Sequence, residues 1–196
     1  MIEARRISLI AGLCLLWTAS PVSAGAKFEP YPDKKAAECT ANNQSDGLAI
    51  GAQSMDNTGD QKRYFGTNMT EKGYLPVYLV VENTSSTDSF LFDKSNVALA
   101  AASAGAVKEA RSKKGETFAM FGIGGIFTIM AITKGTEVQQ NLLKKEVQSK
   151  TLSPGVSVRG FLYIPIPKEG ARVGISLQIP LVNSRTSEVR VINITV

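Results

Sequence analysis

The chain has 196 residues, 43% hydrophobic and 20% charged, proportions ordinary for a globular protein with a core of its own. It contains no histidine, which excludes Ser-His-Asp and Cys-His hydrolysis and every histidine-ligated zinc site. The net charge of +5 is spread along the sequence rather than gathered among aromatics, so nucleic acid is not expected as a partner.

Residues 1–26 read as a secretory signal peptide. Arg5 and Arg6 form its positive region, Leu9 to Trp17 its short apolar run, and Val22-Ser23-Ala24 the small residues of a cleavage site, with cleavage after Ala24 or Ala26. The chain is therefore expected to be exported, to the periplasm or cell envelope. Ala11-Gly12-Leu13-Cys14 resembles a lipobox only faintly, because Leu13 stands where a small residue is wanted and Cys14 lies inside the apolar run. With Cys14 in the leader, Cys39 is alone, so no intramolecular disulfide is expected. It reads as an incidental thiol or, in an oxidising compartment, as an intermolecular partner.

Residues 27–45, with Pro30, Pro32 and the polar run Thr40 to Ser45, read as a linker. Residues 46–97 read as the first part of a β-sandwich. Leu48, Ile50 and Ala52 alternate, and Asp56 to Asp60 then breaks the strand as a polar turn. Val77 to Asn83 is the clearest strand, rich in β-branched and aromatic residues, followed by Ser89 to Phe92 and a further start near Asn96.

Residues 98–150 interrupt this pattern and are expected to form a helical, glycine-containing hydrophobic insertion. Ala98 to Ala110 is alanine-rich, and alanine is the strongest helix former. From Phe118 to Ile132 the only polar side chain is Thr128. Gly122, Gly124 and Gly125 thin this stretch so that another helix can approach closely. Spanning a bilayer takes about 20 residues, with a working range of roughly 17–25, so 117–133 just reaches that length. Three readings stay open: a hairpin packed on the sandwich, membrane association, and self-association. The residues expected to carry the latter two are Phe118, Phe121, Gly122, Gly124, Gly125, Ile126, Phe127 and Ile129. Gly122 to Gly125 is not a phosphate loop, since no Gly-Lys-Ser/Thr follows and no strand precedes it. Thr136 to Gln139 reads as a capping box opening a helix with Val138, Leu142, Leu143 and Val147 on one side.

Residues 151–196 return to β. Pro154-Gly155 suits a type II turn. Val156, Val158, Gly160, Leu162, Ile164 and Ile166 share one face of a strand whose prolines, Pro165 and Pro167, suggest an edge. Val173 to Ile179 alternates, and Val189 to Ile194 makes the last strand. Apolar and polar faces alternate, predicting two sheets packed on one side each.

Val80 to Asn83, Phe90-Leu91-Phe92-Asp93, Leu152-Ser153-Pro154-Gly155, Arg159 to Tyr163 and Pro165 together resemble immunoglobulin-like, telokin-like domains of secreted bacterial proteins. The resemblance covers roughly 47–100 and 151–196. It implies a mainly β, immunoglobulin-like two-sheet sandwich carrying an inserted apolar helical hairpin, and it transfers no site residues. No paired-carboxylate, phosphate-loop or nucleophile motif accompanies it, so the chain reads as non-enzymatic, without cofactor or metal. The expected function is a structural or interaction module of the cell envelope, its hairpin associating with a membrane, a protein partner or itself. The alternative is a soluble periplasmic or secreted binding protein whose hairpin packs on the sandwich or covers a ligand cleft.

Overall fold

The structure, a computed structural model, describes residues 28–99, 136–166 and 174–196. After a short 3-10 turn at Ala36–Glu38 come β1 (Ala41–Ser45), β2 (Leu48–Ser54) and helix α1 (Thr58–Phe65). Then follow β3 (Tyr74–Asn83), β4 (Phe90–Phe92), a 3-10 turn at Lys94–Asn96, and β5 (Ala98–Leu99). Helix α2 (Thr136–Lys145) precedes β6 (Lys150–Leu152), β7 (Ser157–Pro165), β8 (Ser176–Asn183) and β9 (Val189–Thr195).

The strands form two antiparallel sheets. The first has the order β1-β2-β3-β7. In the second, β8 is central: β9 pairs along one side, β5 and β4 share the other, and β6 extends β4. The sheets face each other across an aliphatic core built from alternate residues. β2 supplies Leu48, Ile50 and Ala52, β3 supplies Leu75, Val77, Leu79 and Val81, and β7 supplies Val158, Leu162 and Ile164. From the second sheet come Phe90, Phe92, Leu177, Ile179, Leu181, Ile192 and Ile194.

The first sheet is buried on its other face as well, where one-sided packing is expected from the sequence. Tyr78 and Val80 of β3, with Phe161 and Tyr163 of β7, join Ala36, Cys39, Phe65, Met69 and Leu142 in a second core. The N-terminal segment and both helices cover this face. Tyr31, half-buried, packs against this core, with ring centroids 4.6 Å from Tyr78, 4.9 Å from Phe161 and 5.2 Å from Tyr64. Strands buried on both faces read as continuous apolar runs. Tyr74 to Val81 and Phe161 to Ile164 are such runs.

Three sequence readings change. Residues 41–45, expected to be linker, are an edge strand. Asp46 and Gly47, at φ 48° and 76°, make the two-residue hairpin that turns β1 onto β2. Asp56 to Asp60 does not simply turn: the Asn57 Oδ1 accepts from Gly59 N at 2.8 Å and Asp60 N at 3.1 Å, which caps α1. Ala98 and Leu99, expected to begin a helix, pair with β8. The helix predicted from Thr136 is present, and Val138, Leu142 and Leu143 pack on the second core. β7 is the edge its prolines suggest.

The end of β3 and the Leu152–Gly155 turn meet at one end of the sandwich. Asn83 is buried, and its Nδ2 donates to Asp88 O at 2.6 Å and Leu152 O at 2.8 Å, while Oδ1 accepts from Ser85 N at 3.0 Å. Its own backbone N–H donates to Val156 O and its carbonyl accepts from Gly155 N, both at 3.0 Å. Asn83 thus ties the end of β3 to the Pro154-Gly155 turn through its backbone and to Leu152 and Asp88 through its side chain.

Candidate functional site

Phe118, Phe121, Gly122, Gly124, Gly125, Ile126, Phe127 and Ile129 lie outside the described residues. The described residues that flank that segment are Leu99 and Thr136. Leu99, the last described residue before it, pairs with Leu177 near the start of β8. On the return side, Val147 N donates to Phe161 O at 3.0 Å, and Tyr163 Oη donates to Leu142 O at 2.8 Å. Glu146 bridges Phe161 in parallel, so the chain leaving α2 runs along the edge of β7 in the same direction as β7. One end of the sandwich carries the Asp46-Gly47, Asn83–Ser89, Ser153–Val156 and Ser184–Ser187 turns.

A cleft of about 380 Å³ opens beside the end of β2, between Tyr31, Lys34, Gln53, Asp56, Asp60 and Tyr64. Much of its polar lining is engaged within the protein. Lys34 Nζ donates to Gln53 Oε1 at 2.6 Å, Asn57 caps α1, and Asp56 accepts from Ser54 Oγ at 3.2 Å. Among the described residues, no three His, Cys, Asp or Glu side chains are grouped to hold a metal ion. Cys39, read from sequence as a thiol in a loose segment, is buried in the second core; burial raises its pKa, and its Sγ–H points at Lys35 O, 3.7 Å away.

α2 is held down by two devices that sequence reasoning does not find. Lys145 Nζ donates to Tyr64 O at 2.6 Å and to Asn141 Oδ1 at 2.7 Å, joining α2 to α1, and its burial lowers its pKa. Glu146, just beyond the helix, has a side chain only 2% exposed and pairs with Lys94 Nζ at 2.8 Å. Its second oxygen, Oε1, is buried without a hydrogen bond. Burial pushes the Glu146 carboxyl above its ordinary range, against the opposing pull of Lys94, and the nearby Tyr163 phenol is driven up by burial and then by the Glu146 charge.

The sign of the consequence follows from linkage. A carboxyl with a raised folded pKa binds its proton in the folded state at pH values where the unfolded chain has released it. Stability from this group is greatest at low pH and falls as pH rises through that window. Glu146→Gln is expected to remove the slope, so that the variant gains on the wild type as pH rises. Urea unfolding of both proteins from pH 4 to 8 checks this, and parallel curves would contradict it.

No protein-family model, curated protein or solved structure matches the chain. Its reading therefore rests on its own residues. Gln61, which fixes α1 and the loop after it, was not visible as a key residue from sequence. The signal that points to its helix is the pair Asn57 and Gly66, a cap at each end: Gly66, at φ 74°, donates its N–H to Lys62 O at 2.8 Å.

Proposed function

We propose that this protein is an exported, non-enzymatic interaction module of the cell envelope, an immunoglobulin-like sandwich that carries the apolar segment 117–133 to a membrane. The observation that supports this most is the apolar run from Phe118 to Ile132, in which Thr128 is the only polar side chain. The flanking Lys113, Lys114 and Lys134 suit headgroup positions at its ends. Among the described residues, no helix is long and apolar enough to cross a membrane, so the anchoring capacity rests on that segment. Residues 1–26 supply the export signal in this reading.

The cleft beside Tyr31 and Tyr64 favours a second reading, a soluble exported binding protein. One experiment separates the two. The full chain, leader included, is expressed in a bacterial host, and membranes are washed with high salt and then with carbonate. The intact protein is expected to stay with the membrane, and a variant lacking 115–134 to be released with its β-sheet circular dichroism intact. Complete release of the intact protein by carbonate would overturn the anchoring proposal.

A further inference from the structure

β9 is a seven-residue edge strand with a regular register to β8 from Val182↔Val189 to Ser176↔Thr195. Hydrogen-bonded positions alternate along an antiparallel pair. Asn183 N bonds Glu188 O, and Ile175 and Val196 exchange both bonds, which sets the alternation. Pro180, which has no N–H, accordingly sits opposite Val191 at a non-bonded position. The backbone groups of Val189, Val191, Asn193 and Thr195 therefore point away from β8, and no described strand meets them.

Among the described residues, the other edges are short or blunted, and β5 is only two residues long. β1 is five residues of mostly exposed polar side chains, β6 is three residues with an exposed lysine, and β7 is bridged in mid-strand by Glu146 and Val147. β9 has no proline, no lysine and no bulge, the usual means of discouraging edge pairing. Its single charge, Arg190, is already committed: Nη1 donates to Asp46 O at 2.8 Å, and the guanidinium lies 5.5 Å from the Phe90 ring centroid. On the open face beside the edge, Val189 is 58% exposed, Val191 52% and Leu91 44%. Leu91, Val182 and Val189 lie in one row across β4, β8 and β9.

We propose that β9 is a self-association site, at which a second copy of this chain adds its own β9 antiparallel and joins the two second sheets into one. Four outward N–H and four outward C=O groups at two-residue spacing are met by another extended backbone, and a two-fold axis makes the same edge its own partner. Self-pairing is usually opposed by like charges brought face to face. Here the outward side chains are Val189, Val191, Asn193 and Thr195, all uncharged, and the exposed valines extend the apolar row across the axis. This goes beyond the anchoring proposal and does not depend on it.

The test is sedimentation velocity on the full chain in mild non-ionic detergent over a concentration series. The wild type is expected to dimerise. Val191→Pro removes one outward N–H without touching the β8 ladder, and Asn193→Lys places a charge at the joint; each is expected to raise the dissociation constant at least tenfold. Thr151→Lys, on the open face but away from β9, is expected to leave it unchanged. If circular dichroism shows Val191→Pro misfolded, Asn193→Lys decides alone. A wild type monomeric at every concentration, or a dimer that survives Asn193→Lys, would overturn the proposal. Membrane retention of Asn193→Lys is expected to equal that of wild type, so failure here is distinguishable from failure of anchoring.

Discussion

Gln61→Leu is expected to destabilise the protein by about 3–5 kcal/mol, lowering the melting midpoint on the order of 10 °C, because it strands several buried polar groups at once. Gln61 is fully buried. Its Nε2 donates to Met55 O and to Thr70 Oγ1, both at 2.7 Å. Its Oε1 accepts from Met69 N at 2.8 Å and Thr70 N at 3.1 Å. The side chain thereby holds the end of β2, helix α1 and the loop that brings the chain into β3. Leucine matches its volume but satisfies none of these groups, so the loss reflects desolvated backbone rather than packing. Denaturant unfolding checks it. A variant within about 1 kcal/mol of wild type would mean that the loop at Met69 rearranges to reach water.

Gly160→Ala is expected to cost about 2–4 kcal/mol, through overpacking and backbone strain together. Gly160 has φ 155° and sits in mid-strand where the chain leaving α2 crosses β7. A Cβ there would lie 2.5 Å from Val147 N and 2.6 Å from Val147 Cα, atoms that no side-chain rotation can move. The hydrogen bond from Val147 N to Phe161 O would be broken first, and α2 would lift from the second core. Loss of the α2 contribution to helical circular dichroism, together with a lowered unfolding midpoint, is the expected signature; an unchanged midpoint would show that the crossing is loosely held.

The inner core was legible because its strands alternate. Val158, Leu162 and Ile164, then Leu177 and Ile179, each share one face by alternation and are buried there. The second core was legible in principle, since Tyr74 to Val81 shows no alternation at all, but a continuous run does not say what lies on either side. Its cover comes from Tyr31, Phe65 and Leu142, which are distant in sequence and joined only by tertiary structure. β1 was hidden by its polar composition: Asn42, Asn43, Gln44 and Ser45 are exposed, so no apolar period marks the strand, and only Asp46-Gly47 signals the hairpin. Of the candidate site, the apolar stretch is plain from composition, whereas the docking of α2 on β7 through Tyr163 is a pairing that no local pattern encodes.

β3 and β7 each belong to two interiors at once, and this sets how the molecule comes apart. A slip of one residue between them would exchange the aliphatic row for the row of tyrosines, spoiling both compartments in a single step. Loss of either the helical cover or the facing sheet would wet one face of both strands. The domain is thus built to melt as one cooperative unit, with the amides bonded between these two strands the last to meet solvent.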